Sequence, residues 1–193
     1  MELLLLDPKE TPASLAERLD LAHLLHHDEI LLLFPTHDAN NQKLVAEARE
    51  RSALRANLTT ALFVTDANRA RSFKKHYRHI AATASRAAFE SRDVTLILDP
   101  ETSTRDDFMH HRNSGLNQVL LAFAKQRGQR ILTTTRKLLD ANKPDVLLGR
   151  MRQNSAWCAK YGVPYDVVSG ARTLWEQRDA KDLQALERVL PTL

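Results

Sequence analysis

Cysteine is almost missing from this chain: Cys158 stands alone, so no intrachain disulfide can form, and a reducing compartment such as the cytoplasm is expected. Long apolar runs are missing too. The four leucines Leu3–Leu6 lie between Glu2 and Asp7, and no stretch nears the roughly 18 apolar residues that a membrane span requires. That short run also lacks the basic start of a secretory signal and reads as a strand. Glycine is scarce, with five residues, and none follows the first strand, where the chain reads Asp7-Pro8-Lys9-Glu10. A dinucleotide-binding Rossmann fingerprint is thereby excluded. No His-x-His and no Gly-x-Ser-x-Gly occurs, which removes two common routes to a metal centre and to a serine nucleophile.

What remains is ordinary globular material. The 193 residues are 43% hydrophobic and 27% charged, enough for one domain spanning 1–193 with a real core. The net charge of +4 is unevenly spread. Residues 1–100 carry 13 Lys/Arg against 14 Asp/Glu, and residues 101–193 carry 15 against 10. A basic half suits a polyanionic partner, although a plain solvated surface accounts more readily for an excess of this size.

Seven short apolar runs predict strands: Leu3–Leu6, Ile30–Phe34, Ala61–Val64, Ile80–Ala84, Val94–Leu98, Ile131–Thr134 and Tyr165–Val168. Most are continuous rather than alternating, as in parallel strands covered on both faces. Helical patterns lie between them. Ser14-Leu15-Ala16-Glu17 reads as a capping box. After Ser114-Gly115 the residues Leu116, Val119, Leu120, Phe123 and Ala124 repeat at helical spacing up to Gly128. Asp179 reads as the N-cap of a last helix with Leu183, Leu186 and Leu190 facing inward. Regular strand–helix alternation gives an α/β fold with a parallel sheet and right-handed crossovers. Seven units in this length predict an incomplete TIM-barrel-like βα barrel with no eighth unit.

At the C-terminal strand ends, where such barrels carry function, stand Asp7, His37, Asp38, Asp66, Asp99, Glu101, Arg136 and Arg172. The acids and His37 are the donor types of a metal-dependent phosphoesterase, but an Asp after a strand also caps the helix that follows. His23, His26 and His27 share one helix, with His27-Asp28-Glu29 as its polar end. Two basic features stand out. Between Arg69 and His79 lie five cations and no acid; a helix there would put Arg71, Lys74, Lys75 and Arg78 on one face, a possible second phosphate track. The other is scattered: Arg112, beside His110-His111, then Arg127, Arg130, Arg136, Lys160, Arg172, Arg178 and Lys181.

The second half also carries a string of short motifs. Arg112-Asn113-Ser114-Gly115-Leu116-Asn117-Gln118 comes first, followed by Arg136-Lys137-Leu138-Leu139 and Leu148-Gly149-Arg150-Met151-Arg152-Gln153-Asn154. Ala159-Lys160-Tyr161-Gly162-Val163-Pro164, Ser169-Gly170-Ala171-Arg172 and Trp175-Glu176-Gln177-Arg178-Asp179-Ala180-Lys181 complete it. In order and spacing this resembles ribonuclease P protein component 3, the thirty-kilodalton-type subunit of archaeal and eukaryotic ribonuclease P. The match is specific over roughly residues 110–190, and it departs from the family pattern at Asn117 and Gln118.

The resemblance implies a barrel akin to the histidinol-phosphatase-type (PHP-like) metalloesterases without their metal chemistry. It implies a subunit that supports a catalytic RNA in removing 5′ leaders from precursor tRNA, with no cofactor of its own and Mg2+ serving the RNA. The implied partners are ribonuclease P RNA, the precursor tRNA within the holoenzyme, and a small ferredoxin-like protein subunit in a two-plus-two heterotetramer. Arg112, Arg127, Lys160 and Arg178 match the family's RNA-contacting positions, Arg136 matches a family arginine, and Arg172 and Lys181 join them by proximity. Two other readings stand beside this one: a stand-alone PHP-like phosphoesterase using Asp7, His37, Asp38, Asp66 and Asp99, and a scaffold whose basic face binds acidic protein.

Overall fold

The computed structural model describes residues 1–53, 56–102, 106–107 and 112–192; the side chain of Thr192 and the predicted basic contribution of His110-His111 lie outside the described residues. Seven parallel strands follow one another in sequence and in space: β1 (Glu2–Leu5), β2 (Glu29–Phe34), β3 (Asn57–Val64), β4 (His79–Thr83), β5 (Leu96–Leu98), β6 (Arg130–Thr134) and β7 (Tyr165–Val168). Each predicted run is a strand, with ends displaced by a few residues. Eight helices flank them among the described residues: α1 (Pro12–Leu24), α2 (Asn41–Arg51), α3 (Ala70–Phe73), α4 (Arg86–Glu90), α5 (Gln118–Arg127), α6 (Thr135–Leu139), α7 (Pro144–Tyr161) and α8 (Ala180–Val189).

The continuous apolar runs are buried on both faces. Leu3, Leu31, Leu33, Ala61, Ala81, Leu96, Leu98, Leu132 and Val168 fill the barrel interior. Leu4, Ile30, Leu32, Leu62, Ile80, Ile97 and Ile131 face the helices. A barrel of seven strands is narrower than one of eight, and alanines at the inward positions of β3 and β4 suit the reduced bore.

Between the two edge strands the sheet nearly closes. One parallel bridge joins Leu4 to Ala171, just past β7. Leu5 N donates to Ala171 O at 2.8 Å and Ala171 N to Leu3 O at 3.1 Å. Arg18, projecting from α1 and only 2% exposed, completes the seam. Its guanidinium donates to Leu5 O at 3.0 Å and Ala171 O at 2.8 Å, and to the Glu10 carboxylate at 2.6 Å. One planar fork thus binds both edge strands at once, a geometry that an ammonium cannot match. Burial pulls the Arg18 pKa below its ordinary value while Glu10 pulls it back up.

In place of an eighth unit, α8 covers the outside of β7. Ala180 N donates to Leu25 O at the end of α1, and Leu190 packs with Met151, Leu148 and Leu138 near the start of α7. The helix therefore runs against the direction of α7. Its N-cap is Asp179, as the sequence predicts, with Leu183 and Leu190 buried and Leu186 half-buried.

Three sequence expectations are corrected. The α1 N-cap is Thr11, accepting from Ser14 N, because Pro12 sets the first helical dihedral and starts the helix earlier than the expected Ser14 box. Helix α5 begins at Gln118 and turns Val119 outward, with Leu121 and Ala124 buried. His27 is not a polar helix end. It is 2% exposed, its Nε2 lies 2.8 Å from Arg178 O and 3.2 Å from the Glu2 carboxylate, and Glu2 also accepts from Ser169 Oγ. The His27–Glu2 distance suits an ion pair, but burial lowers the His27 pKa and lifts that of Glu2 to about 8, so both sides favour the neutral pair.

A second buried acid pins the chain between β5 and α5. Glu101 accepts from Thr133 Oγ1 at 3.1 Å and Asn154 Nδ2 at 3.4 Å, and Asn154 Nδ2 also donates to Ser114 O at 2.9 Å. Burial first, and the Asp99 carboxylate second, push Glu101 up to about 8. Beside Ser114, Gly115 adopts φ +80°, and a Cβ there would stand 1.9 Å from Pro100 O, so only glycine fits.

Two outcomes follow. Replacing Arg18 by Met should destabilise the fold by about 3 kcal/mol or more in denaturant titration, because Glu10 and two seam carbonyls lose their partner, and Lys should not restore it. Stability should also fall as pH rises from about 6.5 to 8. In that window unfolded Glu2 and Glu101 have lost protons that the folded chain retains. Below about 6.5 the lowered pKa values of buried His27 and His79 act in the opposite sense and flatten the profile. Glu101→Gln should reduce the loss between pH 6.5 and 8; an unchanged profile would contradict the assignment.

Candidate nucleic-acid interface

The acids of the predicted phosphoesterase do not converge. Asp7, Asp38 and Asp66 each accept a backbone N–H two residues onward, from Lys9, Asn40 and Asn68, closing local turns. Asp99, at φ +46°, accepts from Thr134 N at 2.7 Å and Thr134 Oγ1 at 2.9 Å, and Glu101 is committed to α7. His37 packs among Phe73, His76 and Tyr77 and lies 3.2 Å from the Tyr77 hydroxyl. Among the described residues no three His, Cys, Asp or Glu side chains are grouped so as to hold a metal ion. Cys158 is fully buried, and burial raises its thiol to about 12, which makes it packing rather than a nucleophile.

The stretch expected to form one basic helix face does not do so. Helix α3 ends at Phe73, so Arg71, Lys74, Lys75 and Arg78 follow a short helix and a turn. Lys74 is bound to Asp93 at 3.0 Å, and Arg69 lies over the Phe73 ring at 5.8 Å. Arg71, Lys75 and Arg78 are exposed.

The scattered cations of the second half separate into two groups. Arg136, Arg172, Arg178 and Lys181 gather near the seam, and carboxylates occupy much of their charge. Arg136 meets Asp140 at 3.2 Å and donates to Gly170 O. Arg172 holds Glu176 at 3.0 Å and lies 3.8 Å from Asp140. Arg178 donates to Trp175 O and Gln177 O, while Lys181 is exposed in the first turn of α8. Arg130, at the start of β6, pairs with Asp166 at 3.2 Å.

The second group lies on the wall formed by α5 and α7. The sequence from 108 to 139 contains no acid, nor does that from 146 to 165. Arg112 rests on α7 at Gly149, where a Cβ would stand 1.7 Å from its guanidinium, and its carbonyl accepts from Gln153 Nε2. Lys160 lies over the Tyr161 ring at 5.9 Å, and the Tyr161 hydroxyl reaches across to Gln118 on α5. Lys125 sits beside Gly162 at the end of α7. Arg152 and Lys160, eight residues apart, share an exposed face of α7. Among the described residues no carboxylate pairs with Arg112, Lys125, Arg127, Arg152 or Lys160. Helix dipoles explain Lys125, Arg127 and Lys160, which occupy last turns ahead of left-handed Gly128 and Gly162. They do not explain Arg112 or Arg152. Sequence reading missed Lys125 and Arg152; the acid-free stretches around them were the available signal.

No family model matches this chain, and no curated protein does. Among solved structures, a chain from a cryo-EM structure of archaeal ribonuclease P with mature tRNA superposes with a TM-score of 0.77. The superposition covers 98% of this chain and 83% of that one at 16% sequence identity. No helix among the described residues is long and apolar enough to cross a membrane. By its fold, the chain is similar to a protein component of archaeal ribonuclease P.

Proposed function

We propose that this chain is a protein subunit of ribonuclease P that supports the catalytic RNA in 5′-leader removal from precursor tRNA and performs no chemistry itself. The observation that carries the reading is the cationic wall of α5 and of α7 beyond its first turn, whose sequence holds no acid from 146 to 165, on a fold similar to a chain found in such a particle. Arg112 and Lys160, with Lys125 and Arg152, line that wall and offer phosphate contacts, and Arg127 in the last turn of α5 adds another. Arg178 and Lys181 supply further contacts near the seam, where Arg136 and Arg172 serve mainly to order the surface. Arg71, Lys74, Lys75 and Arg78 form a possible second basic face, of which Arg71, Lys75 and Arg78 are available. The family resemblance adds a small ferredoxin-like protein subunit in a two-plus-two assembly, working in the cytoplasm, with Mg2+ held by the RNA.

The physical basis is counterion release. Each cation that meets a phosphate frees a condensed ion, and A-form RNA is read by its backbone and shape rather than by its base edges. Guanidinium groups add bidentate grip on phosphate oxygens.

In a particle reconstituted with ribonuclease P RNA, Arg112→Ala and Lys160→Ala should each lower the slope of log affinity against log salt by about one. Slopes unchanged in both variants would remove the α5–α7 wall from the interface. Gly149→Ala should leave stability within about 1 kcal/mol of the parent, since alanine favours the helix and only a flexible side-chain end must move. It should nevertheless weaken RNA binding as Arg112→Ala does, by pushing that guanidinium off α7. Normal RNA affinity in Gly149→Ala would show that the seating of Arg112 is incidental.

A further inference from the structure

Residues 112–117 form neither helix nor strand, yet they carry Arg112 and lead into α5. Their course is set from α7. Gly149, Arg150, Gln153 and Asn154 recur at helical spacing on one side of that helix. Gly149 lies under the Arg112 guanidinium. Gln153 Nε2 donates to Arg112 O at 3.3 Å and to Ser114 Oγ at 3.0 Å, and Asn154 Nδ2 donates to Ser114 O. Arg150 reaches the segment through Asp107. Its Nε and Nη2 both lie 2.8 Å from Asp107 Oδ1, the same atom that accepts from Asn113 N at 2.8 Å. Arg150 Nη1 donates to Glu101 O.

Arg150 is 6% exposed and Asn154 is fully buried. Apolar side chains would cover the segment without desolvating a charge, but directed hydrogen bonds also fix where each of its residues sits. Asp107 bears on the wall electrostatically as well. Burial would lift its pKa, but hydrogen bonds from Arg150 and Asn113 N, then the charges of Arg150 and Arg112, hold it below its ordinary value. An acid so placed can do one of two opposite things. It can screen Arg112 from a phosphate, or it can order the segment that presents Arg112. The three nitrogens converging on Oδ1 favour the second.

We propose that Asp107, Arg150 and Gln153 are positioning residues of the RNA-binding wall, holding the 112–114 segment against α7 so that Arg112 is seated before RNA arrives. The inference rests on the ribonuclease P reading. A guanidinium already in place loses little freedom on meeting a phosphate. Asp107, though negative, thereby strengthens the binding of a polyanion.

The test is a double-mutant cycle on the full chain in a particle reconstituted with ribonuclease P RNA. Asp107→Asn raises the net charge by one, so screening alone would tighten binding. Positioning requires the reverse: binding roughly 3- to 30-fold weaker, with the salt slope lowered toward that of Arg112→Ala. In an Arg112→Ala background Asp107→Asn should weaken binding no further, because the group it positions is gone. Gln153→Ala leaves the Arg150–Asp107 pair intact and keeps the test open should Asp107→Asn fail to fold; its effect should depend on Arg112 in the same way. Tighter binding or an unchanged slope in Asp107→Asn would overturn the positioning role and leave the wall standing. So would losses from either variant that are equal with and without Arg112. An Arg112→Ala variant that binds as tightly as the parent would remove Arg112 from the interface, and the positioning role with it.

Discussion

The architecture depends on how a sheet of only seven strands meets itself. At the seam β1 and the residues after β7 share one bridge, and Arg18 donates to a carbonyl on each side while its charge is held by Glu10. Without that fork the seam would expose unpaired backbone inside the protein, where each unsatisfied group is costly. Because the clasp comes from α1, it also fixes that helix and, through Arg18 O and Gln177, the segment that carries Arg172, Trp175 and Arg178. Barrel closure and the arrangement of one cationic region are therefore mechanically linked.

The cations of the second half do two kinds of work. Near the seam Arg136 and Arg172 spend their charge on Asp140 and Glu176, which orders the chain and depresses the Glu176 pKa through the Arg172 hydrogen bond. On the α5–α7 wall the cations form no described ion pair, although Asp107, bound to Arg150, lies near enough to Arg112 to feel its charge, so most of their potential is directed outward. Exposed ion pairs in water contribute little to stability. The difference therefore matters chiefly for recognition. A polyanion meets uncompensated charge on one side of the molecule and a rigid, partly neutralised surface on the other.

Much of the fold was legible because parallel strands buried on both faces leave continuous apolar runs, and all seven runs are strands. Asp179 and Gly128 could be placed for the same local reason, since caps are set by neighbouring residues. Arg18 was not legible: on the stripe that includes Leu15 and Leu19 it looks like a polar interruption, and its partners Leu5 and Ala171 are distant in sequence. The buried pairing of Glu2 with His27 was hidden likewise, because a His-Asp-Glu run after a helix reads as solvated. The basic residues could be named individually, but their division into two groups depends on tertiary ion pairs that spacing does not encode. Helix α3 fell short of the expected basic face because it stops at Phe73, whose ring packs with His37 and Arg69.

The central claim is that this chain works bound to a structured RNA. Its most direct test is to cross-link the tagged full-length chain in its own cells, recover it under denaturing conditions and sequence the attached RNA. The account requires ribonuclease P RNA to dominate, with cross-links mapping to peptides from α5, α7 and the 172–181 segment. Recovery of no enriched RNA, or of cross-links confined to the opposite side of the barrel, would contradict it.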